Sequence, residues 1–308
     1  MTDNIERNEA DTLITVIPDI HADPSRLAAS IAAAEPTGRL AFLGDFIDAG
    51  SDPGSRIDEL AVLTEVRRLI ENDRAIGILG NHELNAILFH REDGAGRPLR
   101  ARSSKNQDQH QSFIDAFGVA TPAALSWTSW FLEALPLWQD LDGLRLVHAF
   151  WSDRLVETIR ELRPDGLLRE EDLPEIASES TEFGRAVKLL VSGPEVSLPK
   201  GVSFLDTKGH RREEMRIAWW RGEAATWREL ALAVPDPGLL PDTLLEPGHI
   251  AEVYHADGRP VLVGHYKMTP PLRIDSANAA CIDYPSAPCV YHWRGGVQLE
   301  PEGLVSVR

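Results

Sequence analysis

Short apolar runs rich in Val, Ile and Leu recur along this 308-residue chain, and stretches with helical spacing separate several of them. Runs of this length and composition predict strands that are buried on both faces of a sheet. They cover residues 13–17, 39–43, 75–79, 260–263 and 279–284. Two further alternating arms meet at Asp142 and Gly143, a turn sequence typical of a β-hairpin. The pattern predicts an α/β fold assembled from βα units.

Capping signals predict two helices among the first three strands. Asp23 followed by Pro24 is typical of a helix start, and the alanines that follow favour its continuation. A second helix is predicted from Asp58, with Glu59 and Glu65 turned away from its apolar face. That predicted face consists of Leu60, Leu63, Val66 and Ile70.

The chain is long enough to bury one large core, and no Pro-, Gly- or Ser-rich tract marks a linker. We therefore expect a single domain over residues 11–300, preceded by a disordered tail at 1–10. Residues 90–112 are polar and contain glycine, which predicts an exposed insertion of low order. Residues 152–215 mix a helical segment with Pro-rich connections, which predicts an accessory lobe beside the sheet.

Charge and cysteine content exclude several broad classes of function. The net charge of −17 repels polyanions and disfavours a general binder of nucleic acid or of acidic membranes. Cys281 and Cys289 form neither a CxxC pair nor a disulfide framework, which favours a reducing compartment. No signal peptide or membrane-spanning run is recognisable. We expect a soluble cytoplasmic protein whose partners are small molecules or proteins, and the sequence predicts no oligomeric state.

Metal-type ligands follow five of the predicted strands. Asp19 and His21 come after the first, Asp45 after the second, and Asn81 and His82 after the third. The later strands are followed by His148 and His265. Carboxyl ends of strands in an open α/β sheet face one crevice, so these side chains are predicted to converge. Carboxylate and imidazole without thiolate suit Mn, Fe or Zn, and Asp45 is the candidate to bridge two such ions.

Simpler structural explanations exist for each residue taken alone. A polar residue at a strand end is most often a turn former or a helix cap, and the sequence around Asp48 and Ala49 is typical of a turn. His82 can be explained as a helix-start residue. Trp219 and Trp220 are predicted to pack in the core. The five strand ends taken together, all bearing Asp, Asn or His, favour a metal site.

The same residues resemble the ordered motifs of the calcineurin-like metallophosphoesterases. The matching segments are Asp19-Ile-His21, Gly44-Asp45-Phe-Ile-Asp48, Gly80-Asn81-His82-Glu83, His148 and Gly264-His265. Lys267 stands where many diesterases of this superfamily carry a second histidine, which makes the chain more similar to the phosphoprotein phosphatase branch. Trp219-Trp220-Arg221 resembles a segment of bacterial members. The resemblance implies a sandwich of two mixed β-sheets flanked by helices, with metals at the carboxyl ends of the strands.

The resemblance also implies a role for each residue. Asp19, His21 and Asp45 are expected to hold one metal, and Asp45, Asn81, His148 and His265 the other. The two divalent or trivalent ions are expected to be Mn²⁺ first, with Fe or Zn as alternatives. Two such ions would lower the pKa of a shared water to about 7, which produces a nucleophile at neutral pH. His82 would donate a proton to the leaving oxygen, Asp48 would hold its tautomer, and Asn81 and Arg221 would contact the substrate phosphate.

One position departs from the phosphoprotein phosphatase pattern. Those proteins carry a phosphate-binding arginine after the second aspartate, where this chain has Ala49. Arg56 and Arg221 are open alternatives for that contact. Three functions follow: hydrolysis of a phosphomonoester, including phosphoserine or phosphothreonine in proteins; hydrolysis of a dinucleoside polyphosphate or nucleotide; or a weakly active metal-binding regulatory protein.

Overall fold

A computed structural model describes residues 13–49, 56–206, 209–221, 226–245, 254 and 258–307. The predicted tail at 1–10 lies outside the described residues. The strands within these ranges are β1 Ile14–Ile17, β2 Arg39–Phe42, β3 Ala75–Gly77, β4 Trp138–Asp140, β5 Arg145–Val147, β6 Glu195–Ser197, β7 Phe204–Leu205, β8 Arg211–Arg212, β9 Glu214–Ile217, β10 Ala231–Leu232, β11 Val261–Val263, β12 Ala279–Cys281, β13 Cys289–Trp293 and β14 Leu304–Ser306. Each predicted strand is present and is shorter than the run that predicted it.

The helices of the same ranges begin and end as follows: α1 Pro24–Ala32, α2 Glu59–Glu71, α3 Asn81–His90, α4 Ser104–Gln109, α5 Gln111–Phe117, α6 Pro122–Ala134, α7 Asp153–Arg160, α8 Leu173–Ser178, α9 Glu182–Ser192 and α10 Trp227–Leu230. Asp23 caps α1 by accepting hydrogen bonds from the amides of Ser25 and Arg26, at 2.8 and 3.1 Å. Asp58 caps α2 in the same way. No helix in these ranges has the length and apolar character needed to cross a lipid bilayer.

Two mixed sheets form the centre of the fold. One has the strand order β14-β13-β1-β2-β3, in which β1, β2 and β3 are parallel and β13 is antiparallel to β1. The other has the order β12-β11-β5-β4, with the predicted β4–β5 hairpin antiparallel and β11 parallel to both of its neighbours. The predicted two mixed sheets flanked by helices are therefore confirmed.

Alternating side chains of the central strands pack on opposite faces. In β2, Ala41 belongs to an apolar cluster that also contains Leu146 and Leu262 from the second sheet. Leu40 and Phe42 belong to the other cluster, which includes the apolar face of α2. A strand with both faces buried needs apolar residues at consecutive positions, as the sequence runs indicated. Because β1, β2 and β3 are parallel neighbours, their carboxyl ends lie side by side.

Helix α2 is rotated relative to the face predicted from its sequence. Leu60 is 54% exposed, whereas Val62, Leu63, Val66 and Leu69 are buried. Glu59, predicted to turn away from the core, is instead 3% exposed. The prediction was wrong because Glu59 binds buried polar groups, a tertiary contact that helical spacing does not encode.

Residues 90–112 also differ from the low order expected of them. The segment contains α4, and the chain pairs with itself through a bridge between Glu92 and Pro98. His90 and His110 are 2% and 1% exposed. These two rings are buried within the protein, whereas none of residues 91–109 is buried, and the exposed insertion stays a prediction. Residues 152–215 contain α7, α8, α9 and the short strands β6 to β9, and their standing as a separate lobe stays a prediction.

Candidate active site

The predicted metal-type residues lie on the loops that leave five strands. Asp19 and His21 follow β1, Asp45 follows β2, and Asn81 begins α3 after β3. In the second sheet, His148 follows β5 and His265 follows β11. The Asp and His members of this set are 0% to 7% exposed. Backbone hydrogen bonds tie the loops together, because the amides of Ile20 and His21 both donate to the carbonyl of Asp45, at 3.0 and 2.9 Å.

The backbone at these loops adopts left-handed conformations that are costly for residues with a side chain. The φ angles of His21, Asp45, Asp48 and His265 are 52°, 50°, 64° and 70°. Each such residue costs of the order of 1 kcal/mol or more, and such strain clusters where function requires it. In this chain the turns direct Asp45 and His265 towards their neighbours from adjacent strands. The local geometry is thus maintained by the surrounding hydrogen bonds.

Close approach of the loops requires glycine at two positions. A Cβ atom on Gly80 would lie 2.3 Å from Asp45 Oδ1 and 2.4 Å from the Asp45 amide nitrogen. A Cβ atom on Gly264 would lie 2.2 Å from Asp19 Oδ1. The glycine before Asn81 and the glycine before His265 therefore leave the space that the two aspartates occupy.

Glu83 fixes the loop that carries Asp45. It is 0% exposed, and its Oε2 accepts hydrogen bonds from the amides of Asp45 at 2.9 Å and Gly80 at 3.1 Å. Its Oε1 accepts from the Phe46 amide at 2.8 Å. Glu83 belongs to the sequence motif Gly80-Asn81-His82-Glu83, but no role was predicted for it. Its position three residues after the helix N-cap is the signal for such a carboxylate, which satisfies otherwise unpaired amides.

The first group of candidate ligands consists of His21, Asp45 and His82, with one ligand atom from each lying within 4.8 Å of the others. His21 Nδ1 donates to the carbonyl of Asp48 at 3.1 Å, which leaves Nε2 with the lone pair. That Nε2 is buried and has no hydrogen-bond partner. Asp19 Oδ2 lies 3.8 Å from it. A metal ion would satisfy this nitrogen, so the residues present fit the expected cation.

The second group consists of Asp45, His148 and His265, again within 4.8 Å. His148 Nδ1 donates to the carbonyl of Leu43 at 2.6 Å, so its Nε2 faces Asn81 Oδ1 at 3.0 Å and Asp45 Oδ2 at 3.4 Å. Asn81 Oδ1 is also 2.7 Å from His265 Nδ1. The lone pairs of Asn81 Oδ1 and Asp45 Oδ2 meet the ring nitrogens of the histidines here, so a proton or a cation is required between them. The donor set therefore fits a second metal ion.

The balance of burial and charge differs between two of the candidate histidine ligands, His21 and His148. Burial lowers the pKa of His21 to about 4, which keeps its ring neutral and able to bind metal. Burial also lowers the pKa of His148, but the charge of Asp45 outweighs it and raises the value to about 10. A cation at this site would displace that proton, since metal binding requires the neutral imidazole. Asp45 belongs to both groups, as a bridging carboxylate must.

His82 and Asp48 form the predicted pair beside the metal-type residues. His82 Nδ1 lies 2.7 Å from Asp48 Oδ2, and His82 Nε2 lies 3.8 Å from Asp45 Oδ2. Burial lowers the pKa of His82, but the charges of Asp45 and Asp48 dominate and raise it to about 9. The His82 side chain is 25% exposed, whereas Asp48 is buried. This geometry leaves Nε2 available to an incoming group.

No role was predicted from the sequence for three residues near Asp48. His110 and Glu59 contact Asp48, and His90 contacts His110. His110 Nδ1 lies 2.6 Å from Asp48 Oδ1, and His90 Nε2 lies 2.9 Å from His110 Nε2. Glu59 Oε1 accepts from the Asp48 amide at 2.9 Å. The two histidines had no motif context. No sequence signal identifies them, because they meet only where the end of α3 lies beside the residue that precedes α5.

Asn81 and Arg221 were both predicted to contact the substrate phosphate, but only Asn81 lies at the candidate metal site. Asn81 lies among the metal-type ligands, whereas the guanidinium of Arg221 binds Asp275 at 2.9 Å and the carbonyl of Glu229. Phosphate binding by Arg221 would compete with that ion pair, and the role stays a prediction. Arg56 is 77% exposed and lies 3.7 Å from Asp58.

The two tryptophans that precede Arg221 are core residues, as expected. Trp219 and Trp220 are 1% and 2% exposed. Trp219 Nε1 donates to the carbonyl of Ala149 at 2.9 Å. Their role is therefore packing beside the loop that carries His148.

Three solved structures that match this chain have low sequence identity to it and TM-scores below 0.5. A proposed diadenosine tetraphosphatase is 13% identical, with 99% of this chain and 95% of that chain covered and a TM-score of 0.41. The cold-active protein-tyrosine phosphatase of a psychrophilic Shewanella species is 12% identical, with coverage of 94% and 81% and a TM-score of 0.46. A serine/threonine phosphatase from Saccharomyces cerevisiae is 14% identical, with coverage of 96% and 79% and a TM-score of 0.44. No curated protein sequence is significantly similar to this one.

A family assignment comes from the sequence itself. Residues 12–233 match the calcineurin-like phosphoesterase family, a range that contains every metal-type residue described above except His265. His265 nevertheless lies within 4.8 Å of Asp45 and His148, measured between candidate ligand atoms, so the fold completes the site from beyond the matched range. The chain is a member of the calcineurin-like phosphoesterase family and a phosphoester hydrolase.

Proposed function

We propose that this hydrolase cleaves phosphomonoesters, including phosphoserine or phosphothreonine in proteins, at a site that uses two metal ions. The observation that carries the proposal is the position of Asp45. It belongs to both groups of candidate ligands, and its Oδ2 lies 3.8 Å from Nε2 of His82, a member of the first group that we assign to proton transfer. A proton carrier thus stands beside the predicted bridging carboxylate.

Each side chain has a separable task in this proposal. Asp19, His21, Asn81, His148 and His265 would hold the metals together with Asp45. When bound, the metals would supply a water of lowered pKa and neutralise charge on the phosphate. His82 would give the proton on Nε2 to the leaving oxygen, and Asp48 would hold Nδ1 protonated and the ring in place.

Manganese is our first choice of metal because the donors are carboxylate, amide and imidazole; iron and zinc are the alternatives. Cys281 and Cys289 are buried free thiols, and they agree with the cytoplasmic, reducing setting that we propose. The proposed partners are phosphorylated small molecules or proteins, and the net charge of −17 disfavours nucleic acid.

A dinucleoside polyphosphate is the second candidate substrate, and Arg100 favours it. Arg100 donates to the neutral Gln109 Oε1 at 3.2 Å, and the carboxylate of Glu179 acts on Lys188. Arg100 lies within electrostatic range of both Asp48 and Lys188. Two partly buried cations, of which Arg100 interacts with the charge of Asp48, suit a substrate with more than one phosphate.

The test is turnover by the purified protein after its bound metal has been quantified. We expect hydrolysis of p-nitrophenyl phosphate with added Mn²⁺, and loss of that activity after chelation. A protein that carries two metals per chain and turns over neither this ester nor phosphopeptides nor diadenosine tetraphosphate would exclude the proposal in favour of a metal-binding regulatory protein.

The substrate class is decided by comparing two arginine variants. Arg100→Gln should raise KM for diadenosine tetraphosphate more than KM for p-nitrophenyl phosphate if Arg100 binds a further phosphate. Arg97→Gln is the matched control, because Arg97 lies in the same segment, is 79% exposed and pairs with Asp93. Equal effects of both variants on both substrates would remove Arg100 from substrate binding.

A further inference from the structure

A chain of buried side chains extends from Asp48 away from the metal-type residues. Asp48 Oδ1 faces His110 Nδ1 at 2.6 Å, and His110 Nε2 faces His90 Nε2 at 2.9 Å. The chain ends where the amide of Ala120 donates to His90 Nδ1 at 2.9 Å. His90 and His110 are 2% and 1% exposed, so water does not compete for these contacts.

The direction of every hydrogen bond in this chain follows from its last member. A backbone amide is only a donor, so His90 Nδ1 must accept and its proton must be on Nε2. His90 Nε2 then donates to His110 Nε2, which must accept. The remaining proton of His110 is therefore on Nδ1 and is donated to Asp48 Oδ1. One backbone amide fixes the tautomers of two neutral histidines.

Neutrality of His90 agrees with its surroundings. Burial and the nearby His110 lower the pKa of His90 to about 3. A second proton on His90 would also break the bond from the Ala120 amide. The chain has no exit for a proton at its far end, so it holds a hydrogen-bond pattern and does not conduct protons to solvent.

Asp48 receives donors on both sides as a result. His110 occupies Oδ1, and the Asp48 amide is held by Glu59 Oε1 at 2.9 Å. Oδ2 is thereby left for His82 Nδ1, at 2.7 Å. Burial alone raises the pKa of Asp48, but the hydrogen bonds from His110 and His82 outweigh it and lower the pKa. A buried carboxylate with two such donors is ionised and fixed in orientation.

We propose that His110, oriented by His90, is a positioning residue that locks the Asp48 carboxylate and so aims the Nε2 proton of His82 at the leaving group. The proposal rests on the proposed phosphohydrolase function. His110 contacts Asp48, the residue before Ala49. The Ala49 amide donates to Ser112 Oγ at 2.9 Å. The start of α5 therefore contacts this loop through both Ser112 and His110.

The kinetic test compares two substitutions at residue 110. His110→Phe keeps the aromatic packing and removes the donor, whereas His110→Asn places an amide donor near the position of Nδ1. We expect His110→Phe to lower kcat about 10-fold with KM and metal content unchanged, and His110→Asn to recover much of it. The loss should be larger for phenyl phosphate than for p-nitrophenyl phosphate, because the poorer leaving group depends more on proton donation.

Phe113→Leu is the control for packing. The Phe113 ring stacks on His110 with centroids 4.8 Å apart, but it makes none of the hydrogen bonds in question. The proposal is wrong if Phe113→Leu shows the same dependence of kcat on the leaving group. It is also wrong if His110→Phe lowers kcat for both substrates by the same factor, because a structural effect then explains the data.

A second measurement is independent of turnover. Nitrogen-15 NMR of histidine-labelled, zinc-loaded protein should show His90 protonated on Nε2 and His110 on Nδ1, and the Nδ1 signal of His82 should shift in His110→Phe and return in His110→Asn. Opposite tautomers, or a His82 signal unchanged in His110→Phe, would overturn the proposal. A wild-type protein without phosphatase activity would instead refute the proposed function, and the NMR measurement would still decide the positioning of His82.

Discussion

Replacing Gly264 with alanine tests whether loop contact, and not ligand identity alone, forms the first metal site. The new Cβ would lie 2.2 Å from Asp19 Oδ1 and 3.3 Å from Asp19 Cγ. An ordinary contact of a Cβ atom is at least 3.4 Å, so one group must move by about 1.2 Å. The backbone of Gly264 is not in the left-handed region, so the clash is the main perturbation.

Asp19 cannot simply rotate away from this contact. It is 1% exposed, and both of its oxygens lie 3.2 Å from the amide of His265. Moving a supporting group at a metal site typically weakens metal binding by about 10- to 100-fold. We expect Gly264→Ala to lose one metal per chain in dilute Mn²⁺ and to lose activity with it, with partial recovery at high Mn²⁺.

The assay is metal content after dialysis, measured together with thermal unfolding to identify a general loss of stability. Gly94→Ala is the matched control, because a Cβ on Gly94 meets no atom within 4 Å and its φ is not left-handed. We expect this control to be neutral or slightly stabilising. Wild-type metal content in Gly264→Ala would refute the argument that glycine at this position makes room for the ligand.

Three further predictions follow from the same geometry. His82→Asn should lower kcat by about 100-fold or more with both metals retained, and an unchanged rate in stopped assays would remove His82 as the proton donor. Glu59 has a pKa raised to about 8, chiefly by burial and then by the charge of Asp48. Between about pH 4.5 and about pH 8, Glu59 keeps its proton in the folded state and loses it in the unfolded chain. The free energy of unfolding therefore falls as the pH rises through this range. Glu59→Gln should reduce this fall in denaturant titrations across that range, and an identical pH dependence would contradict it. Ala49→Arg should raise kcat/KM for p-nitrophenyl phosphate, because Ala49 is exposed and has room for the larger side chain; a flat response would indicate that another group already binds the phosphate.

The metal-type residues could be predicted from the sequence because each one lies within a few residues of the end of a strand. Parallel pairing brings Asp45 beside the residues that follow β1, and it brings His265 beside His148 in the second sheet. The residue types add only an expectation about the type of metal. The fold and the ligand positions are therefore encoded locally.

The supporting residues could not be found in this way. Helical spacing alone predicted that Leu60 lies in the core, but Leu60 is exposed. The buried face of α2 instead includes Glu59, which accepts a hydrogen bond from the Asp48 amide. His90 and His110 are twenty residues apart and meet only when α3 packs against the start of α5. Contacts of this kind depend on tertiary packing, for which a single sequence carries no periodic signal.

The central claim is that two cations share Asp45 while His82 remains free to carry a proton. Anomalous diffraction from crystals grown with Mn²⁺ measures this directly. We predict two peaks about 4 Å apart that both contact Asp45, with His82 Nε2 bound to neither. A single peak, two peaks without Asp45 between them, or a peak ligated by His82 would contradict the account.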